Sequence, residues 1–181
     1  MHQSLESLIV LVTALLAGMP ALTFVHELGH AIVAALLVGG RVTIVQGPAP
    51  ARFRFSVWRL DFRLRGPVAP HRVMVGWALW GAHPGVRRHA LATAAGPFTS
   101  GVLAAACLAG SIEAGGAIGL LLLLLAFASA FQMLSSGLPV RYGRWFGAFA
   151  GEASDGLRIR LLLQGRPEPA PRIEPRPAAL V

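Results

Sequence analysis

Five consecutive residues, His26-Glu27-Leu28-Gly29-His30, have the types and spacing that hydrolytic metal chemistry needs. Residues four apart on a helix share a face, so both imidazoles can reach one zinc ion. Glu27 follows the first of them, where it can reach a water on that ion. A catalytic zinc keeps three protein ligands and one open position, and it lowers the pKa of water held there toward about 7. Glu27 is the expected general base, taking the water's proton and later delivering it to the leaving amine. The bland alternative is a solvated helix face that carries the pattern by chance. The surroundings argue against it: the motif lies in an almost continuously apolar run from Leu5 to Val38. An ionisable group inside a membrane span costs about 2.5–3.5 kcal/mol or more, and such groups are functional by default.

The motif lacks its third ligand. Asp61, His71, His83, His89, Glu152 and Asp155 are the residues able to supply one. His71, His83 and His89 lie among arginines and read as interfacial histidines. Asp61 sits on an arginine-crowded strand face that competes for its carboxylate. Asp155 follows Ser154 at a helix start, where its ordinary role is capping or dipole compensation. Two neutral histidines leave a dication uncompensated in a low-dielectric setting, which favours a carboxylate as the third ligand.

The elements that must position these groups are mainly helical. Leu5–Val38 exceeds the roughly 20 residues that one span requires. It contains Pro20, which kinks or breaks a helix, so it reads either as one long bent helix or as two. Gly39-Gly40 ends it. Residues 41–65 then read as a β-region. Val42–Val45 is a short strand, while Phe53, Phe55 and Val57, then Leu60, Phe62 and Leu64, alternate with polar residues. The phase slips at Trp58-Arg59, as a hairpin turn requires. Val73–Trp80 is apolar but too short to span, and reads as an interfacial or re-entrant piece. Spans are expected over about 89–109 and 117–138, then a short helix from Asp155 to about Gln164. The Pro/Arg-rich tail, 165–181, reads as disordered. The fold class expected is a mainly α membrane protein: three to four transmembrane helices, a β-hairpin on the cytoplasmic side, and one core over 1–164.

Composition agrees. The chain of 181 residues is 55% hydrophobic and 13% charged, against about 25% charged in soluble domains. Its net charge of +8 comes from arginine alone, in two groups, 41–88 and 141–176. They flank apolar spans rather than lining one soluble face, so a nucleic-acid partner is not expected. By the positive-inside rule both groups are cytoplasmic and Glu113 lies outside. The single Cys107 excludes an intrachain disulfide.

In its order of motifs the chain resembles the intramembrane site-2 proteases, over about Leu8 to Leu163. Phe24-Val25-His26-Glu27-Leu28-Gly29-His30-Ala31 is similar to that family's first motif, and Ala94-Ala95-Gly96-Pro97 to its Gly-Pro motif. Leu138-Pro139 with Ser154-Asp155-Gly156 is similar to its third. The resemblance implies one zinc ion on His26, His30 and Asp155, with Glu27 catalytic. It also implies substrate contacts near Gly96, Pro97, Ser136 and Pro139. Ser100 and Ser136 stand where the family often has asparagine. The implied activity is a zinc metalloendopeptidase that cuts membrane-embedded or membrane-adjacent protein segments. The location expected is the bacterial inner membrane, multi-pass, with the lipid bilayer and a protein substrate as partners. Such a substrate must expose backbone, and adding a strand to the edge of the Arg52–Arg65 hairpin would do so. Anchorage of that hairpin to anionic lipid is the equal alternative. The competing functional reading is a proteolytically inactive zinc-binding membrane scaffold.

Overall fold

The computed structural model describes residues 2–47, 53–64, 76–81 and 85–166. Three of its helices are long and apolar enough to cross a membrane: Leu5–Leu37, Val86–Ala114 and Gly116–Gly137. The first is continuous, which settles the choice left open by Pro20 in favour of one helix over two. It comprises α1 (His2–Thr13), a π-helical stretch (Ala14–Gly18) and α2 (Met19–Leu37). Pro20 donates no backbone N–H and its ring crowds the carbonyl four residues back. A widened turn just before it accommodates both effects.

Two further long helices, α3 (Val86–Ala114) and α4 (Gly116–Gly137), form an antiparallel pair turned at Gly115, whose φ is 60°. α3 extends beyond the 89–109 expected from hydropathy at both ends, while α4 matches the expected 117–138 to within one residue at each end. Large apolar side chains cover the outer surface: Ile112 is 77% exposed, Phe98 72% and Phe127 68%. Helices with this much apolar surface facing outward suit a lipid solvent.

The β-region is a four-stranded sheet in the order β2-β3-β1-β4, not a lone hairpin. Its strands are β1 (Val42–Gln46), β2 (Phe53–Val57), β3 (Leu60–Leu64) and β4 (Gly76–Trp80). The hairpin β2–β3 turns at Trp58, whose φ of 53° lies in the left-handed region that tight hairpin turns use. β1 runs parallel to β3 and antiparallel to β4. The segment expected to be interfacial or re-entrant, Val73–Trp80, supplies β4; its residues 73–75 lie outside the described residues. Pairing with β1 satisfies its backbone on one side, as a re-entrant coil would not.

The core lies where the sheet meets α2. Ala31, Ala34 and Ala35 of α2 pack on Val42 and Ile44 of β1, Leu60 and Phe62 of β3, and Ala92 of α3. Small side chains let α2 and α3 approach closely. A Cβ at Gly29 would lie 2.9 Å from the Ala95 carbonyl oxygen. After α4, the chain crosses a 3-10 turn (Arg144–Phe149) and ends in α5 (Asp155–Leu163). The tail expected to be disordered lies outside the described residues from 167 onward.

Candidate metal centre

The close approach of α2 and α3 shapes the two histidines. His26 is 5% exposed and His30 4%. Their positions four apart on α2 bring the two Nε2 atoms to 3.2 Å. Each Nδ1 is occupied on the far side of its ring. His30 Nδ1 donates to the Ala92 carbonyl of α3 at 2.9 Å. His26 Nδ1 lies 2.8 Å from the buried Ser100 hydroxyl, also on α3. Bonds of this kind orient the rings and point both Nε2 atoms at a shared centre, as in metal-binding histidines. Gly96 makes room for the arrangement, since any side chain there would run into the His30 ring.

The third group arrives from 129 residues along the chain. Ser154 is 1% exposed and caps α5, accepting from Leu157 N at 3.2 Å. It also accepts from Val140 N at 3.1 Å and donates to the Leu138 carbonyl at 2.5 Å. Between these points the chain pairs with itself: Tyr142 N donates to the Glu152 carbonyl, and Gly151 N to the Tyr142 carbonyl. The result is a closed loop that returns Asp155 to the end of α4. Gly156 lies directly on the Gly137 carbonyl, too close for any Cβ. Ser154, not Asp155, is therefore the cap, and the Asp155 carboxylate is left to face the histidines.

Asp155 Oδ2 lies 3.3 Å from His26 Nε2 and 3.4 Å from His30 Nε2. The three ligand atoms form a nearly equilateral triangle with sides of 3.2–3.4 Å. Ligands about 2.0–2.1 Å from a tetrahedral zinc lie roughly 3.3–3.4 Å from one another. The donor set and its spacing therefore fit a metal ion. The donor chemistry agrees: His30 uses its Nδ1 proton on Ala92, so in the neutral ring Nε2 presents a lone pair to a carboxylate. Three such atoms converging in a buried place offer a seat for a metal ion, with a proton on an imidazole as the other counter-charge.

Glu27 is half-buried and points from α2 toward β4. A Cβ on Gly76, the first residue of β4, would lie 2.7 Å from Glu27 Cγ. Gly76 thus keeps the space that the Glu27 side chain occupies. Tyr142 is a member of this neighbourhood that sequence reasoning missed. Its phenol is pushed above the ordinary range by burial and by the negative charges of Asp155 and Glu27, against the opposing Arg158. It stays a neutral O–H donor in the field of both carboxylates. Its ring lies 5.8 Å from that of Phe149, which is in turn 5.9 Å from Trp77 of β4. The loop and β4 thereby flank the same site.

The remaining sequence assignments separate clearly. Asp61 pairs with Arg41 at 3.3 Å and accepts from Ser56, on the opposite part of the sheet. Glu152 is buried near Arg158. His89 is buried against Trp80, with ring centroids 5.4 Å apart, and is not one of the converging ligand residues. His71 and His83 lie outside the described residues. Of the four residues expected near substrate, Gly96 touches the His30 ring. Pro97 packs in α3 opposite Gly137, Ser136 donates to the Gln132 carbonyl of its own helix, and Pro139 is exposed after α4. Ser100, considered only as a substitute for a substrate-binding asparagine, instead supports His26. No single-residue signal marks Ser100 or Tyr142, because each acts across a long stretch of chain. A scan of protein-family models and a search of curated proteins both return no match for this chain.

Proposed function

We propose that this chain is an intramembrane zinc endopeptidase of the site-2 protease type, residing in a bacterial inner membrane with its arginine-rich segments cytoplasmic. The observation that carries the reading is the His26–His30–Asp155 triangle, built on a membrane-spanning helix with Glu27 beside it. His26, His30 and Asp155 would hold the ion. Bound there, zinc supplies Lewis acidity, bringing the pKa of water toward about 7. Glu27 takes the proton from the attacking water as its oxygen adds to the scissile carbonyl carbon. It returns that proton to the amide nitrogen as the C–N bond breaks, so the products are one carboxylate and one amine. Tyr142 donates a hydrogen bond to the carbonyl oxygen as negative charge develops on it. Ser100 and the Ala92 carbonyl hold the imidazoles in place.

The strand that takes substrate in this reading is β4, not the Arg52–Arg65 hairpin. The hairpin's outer strand β2 is separated from β4 by β3 and β1, a distance of about 14 Å at the usual strand spacing. β4 pairs with β1 on one side and begins beside Glu27. An extended peptide added to its other edge presents its carbonyls to the site. The test is cleavage of transmembrane-segment peptides by the purified chain in detergent, beside Glu27→Gln. Wild-type cleavage with an inert, zinc-loaded variant supports the proposal. Equal rates from the two proteins defeat it. An inert wild type that still binds zinc favours a membrane scaffold.

A further inference from the structure

The sheet is fastened to α2 at two points, and Glu27 lies between them. At one end Arg59, in the β2–β3 turn, donates to the Ala35 carbonyl at 3.1 Å. At the other, Gln46 Nε2 donates to the Pro20 carbonyl at 2.7 Å. Residues 20 and 35 are about 22 Å apart along a helix. The two ends are held differently. Ala31, Ala34 and Ala35 carry the apolar core against Val42, Ile44, Leu60 and Phe62, so the Arg59 end is packed as well as bonded. Toward Pro20 the α2 members of this core, Leu28 and Phe24, are only partly buried. There the Gln46 bond carries more of the attachment.

Gln46 is the last residue of β1 and stands opposite Gly76 across the β1–β4 pair. Gly76 is pressed on α2: a Cβ there would lie 2.7 Å from Glu27 Cγ and 3.1 Å from Thr23 Cγ2. One cross-strand step therefore joins the Gln46 amide to the strand that abuts Glu27. The helix ladder uses one lone pair of each carbonyl, and Gln46 takes the second lone pair of Pro20. Its bond adds to the helix rather than competing with it.

We propose that Gln46 is a positioning residue, whose bond to the Pro20 carbonyl sets the open edge of β4 at a fixed distance from Glu27. The role rests on the endopeptidase reading, in which a substrate strand pairs with that edge. Gln46 acts through β1 and Gly76 and touches neither substrate nor metal. Without its donor the Gly76 end of β4 can move away from α2, while the Trp80 end stays packed on the core. A peptide on that edge still binds, but its carbonyl is no longer held where Glu27 can deliver water to it. Misplacement by about 1 Å costs on the order of 10²-fold in rate. The metal ligands are set by other contacts: His26 by Ser100, His30 by Ala92 and Asp155 by the Ser154 turn. Zinc binding should therefore be independent of Gln46.

The experiment compares wild type with Gln46→Met, which keeps the length of the side chain and removes its N–H donor. Full chains in detergent are assayed for zinc content, for kcat and KM on a transmembrane-segment peptide, and for amide hydrogen exchange. Gln46→Met is expected to hold as much zinc as wild type, with kcat lower by about 10–100-fold and little change in KM. Exchange should rise at Val45, Gln46, Gly76 and Trp77 and stay slow at Val42 and Trp80. Gln46→Glu supplies a rescue, and is read in place of Gln46→Met should that variant not fold. Ionised, it cannot donate; protonated, it donates an O–H to the same carbonyl. Protection at Gly76, corrected for the intrinsic rate, should return in it as pH falls. Wild-type kcat and KM in Gln46→Met overturn the role and leave the endopeptidase reading standing. Zinc lost in step with kcat, or exchange raised evenly over α3 and α4 as well, also overturns it, since either marks a general loss of structure. A wild type that cleaves no peptide removes the endopeptidase reading and this role together.

Discussion

The two edges of one small sheet are built differently. At β4 the strand starts with a glycine pressed on Glu27, and its tryptophans are only half-exposed. At β2 all five residues are exposed and the side chains alternate between aromatic or aliphatic and arginine or serine. The inner edge is constrained by a neighbour at nearly every position, whereas the outer edge is constrained mainly by its partner strand. Chemistry needs the first kind of edge, because sub-ångström placement around a metal depends on surroundings that cannot relax. An edge away from that site tolerates the second.

Substitutions at the two edges should therefore differ by orders of magnitude, and the largest effects belong to the inner side. Asp155→Ala and His26→Ala should each abolish cleavage and strip the ion, with Asp61→Ala nearly silent in both measurements. Gly96→Ala should come close to these, because its methyl displaces the His30 ring. Next, Gly76→Val should crowd Glu27 and lower kcat strongly at full metal content, which separates base placement from metal binding. Tyr142→Phe is expected to lower kcat by about 10²–10³-fold with little change in KM. Ser100→Ala should weaken zinc binding by about 10–100-fold, with Ser100→Thr restoring much of it. At the small end, Arg54→Gln should leave metal content and helicity unchanged.

Tyr142 offers a pH test as well, since it is the chain's single tyrosine. Its phenol is raised above the ordinary value of about 10, so tyrosinate absorbance should appear only above that pH. A raised pKa stabilises the fold fully below the unfolded value and loses that contribution as pH rises through the folded one. Wild type should therefore lose stability at alkaline pH more steeply than Tyr142→Phe. A tyrosinate midpoint at or below the free value would remove the phenol from the site.

How much of this was legible in the sequence depended on whether the signal was local. The helix bearing His26 and His30 follows from five adjacent residues and their apolar setting. The β2–β3 hairpin follows from strict alternation that slips phase at Trp58-Arg59. β4 did not show itself, because Gly76-Trp77-Ala78-Leu79-Trp80 has no polar alternation and its tryptophans suggest an interface instead. The parallel β1–β3 pairing has no local signature at all. Asp155 could be favoured over Asp61 by charge and by resemblance, but its release from capping depends on Ser154 taking that role. The Ser100–His26 bond spans 74 residues and forms only because α2 and α3 pack on glycine.

Metal analysis joined to zinc-edge X-ray absorption tests the central claim most directly, on wild type, Glu27→Gln and Asp155→Ala purified side by side. One zinc per chain is expected in wild type and in Glu27→Gln, with two imidazole nitrogens and a carboxylate oxygen among its ligands. Asp155→Ala should hold far less. Full zinc occupancy with an unchanged ligand shell in Asp155→Ala, or loss of zinc from Glu27→Gln, would contradict the account.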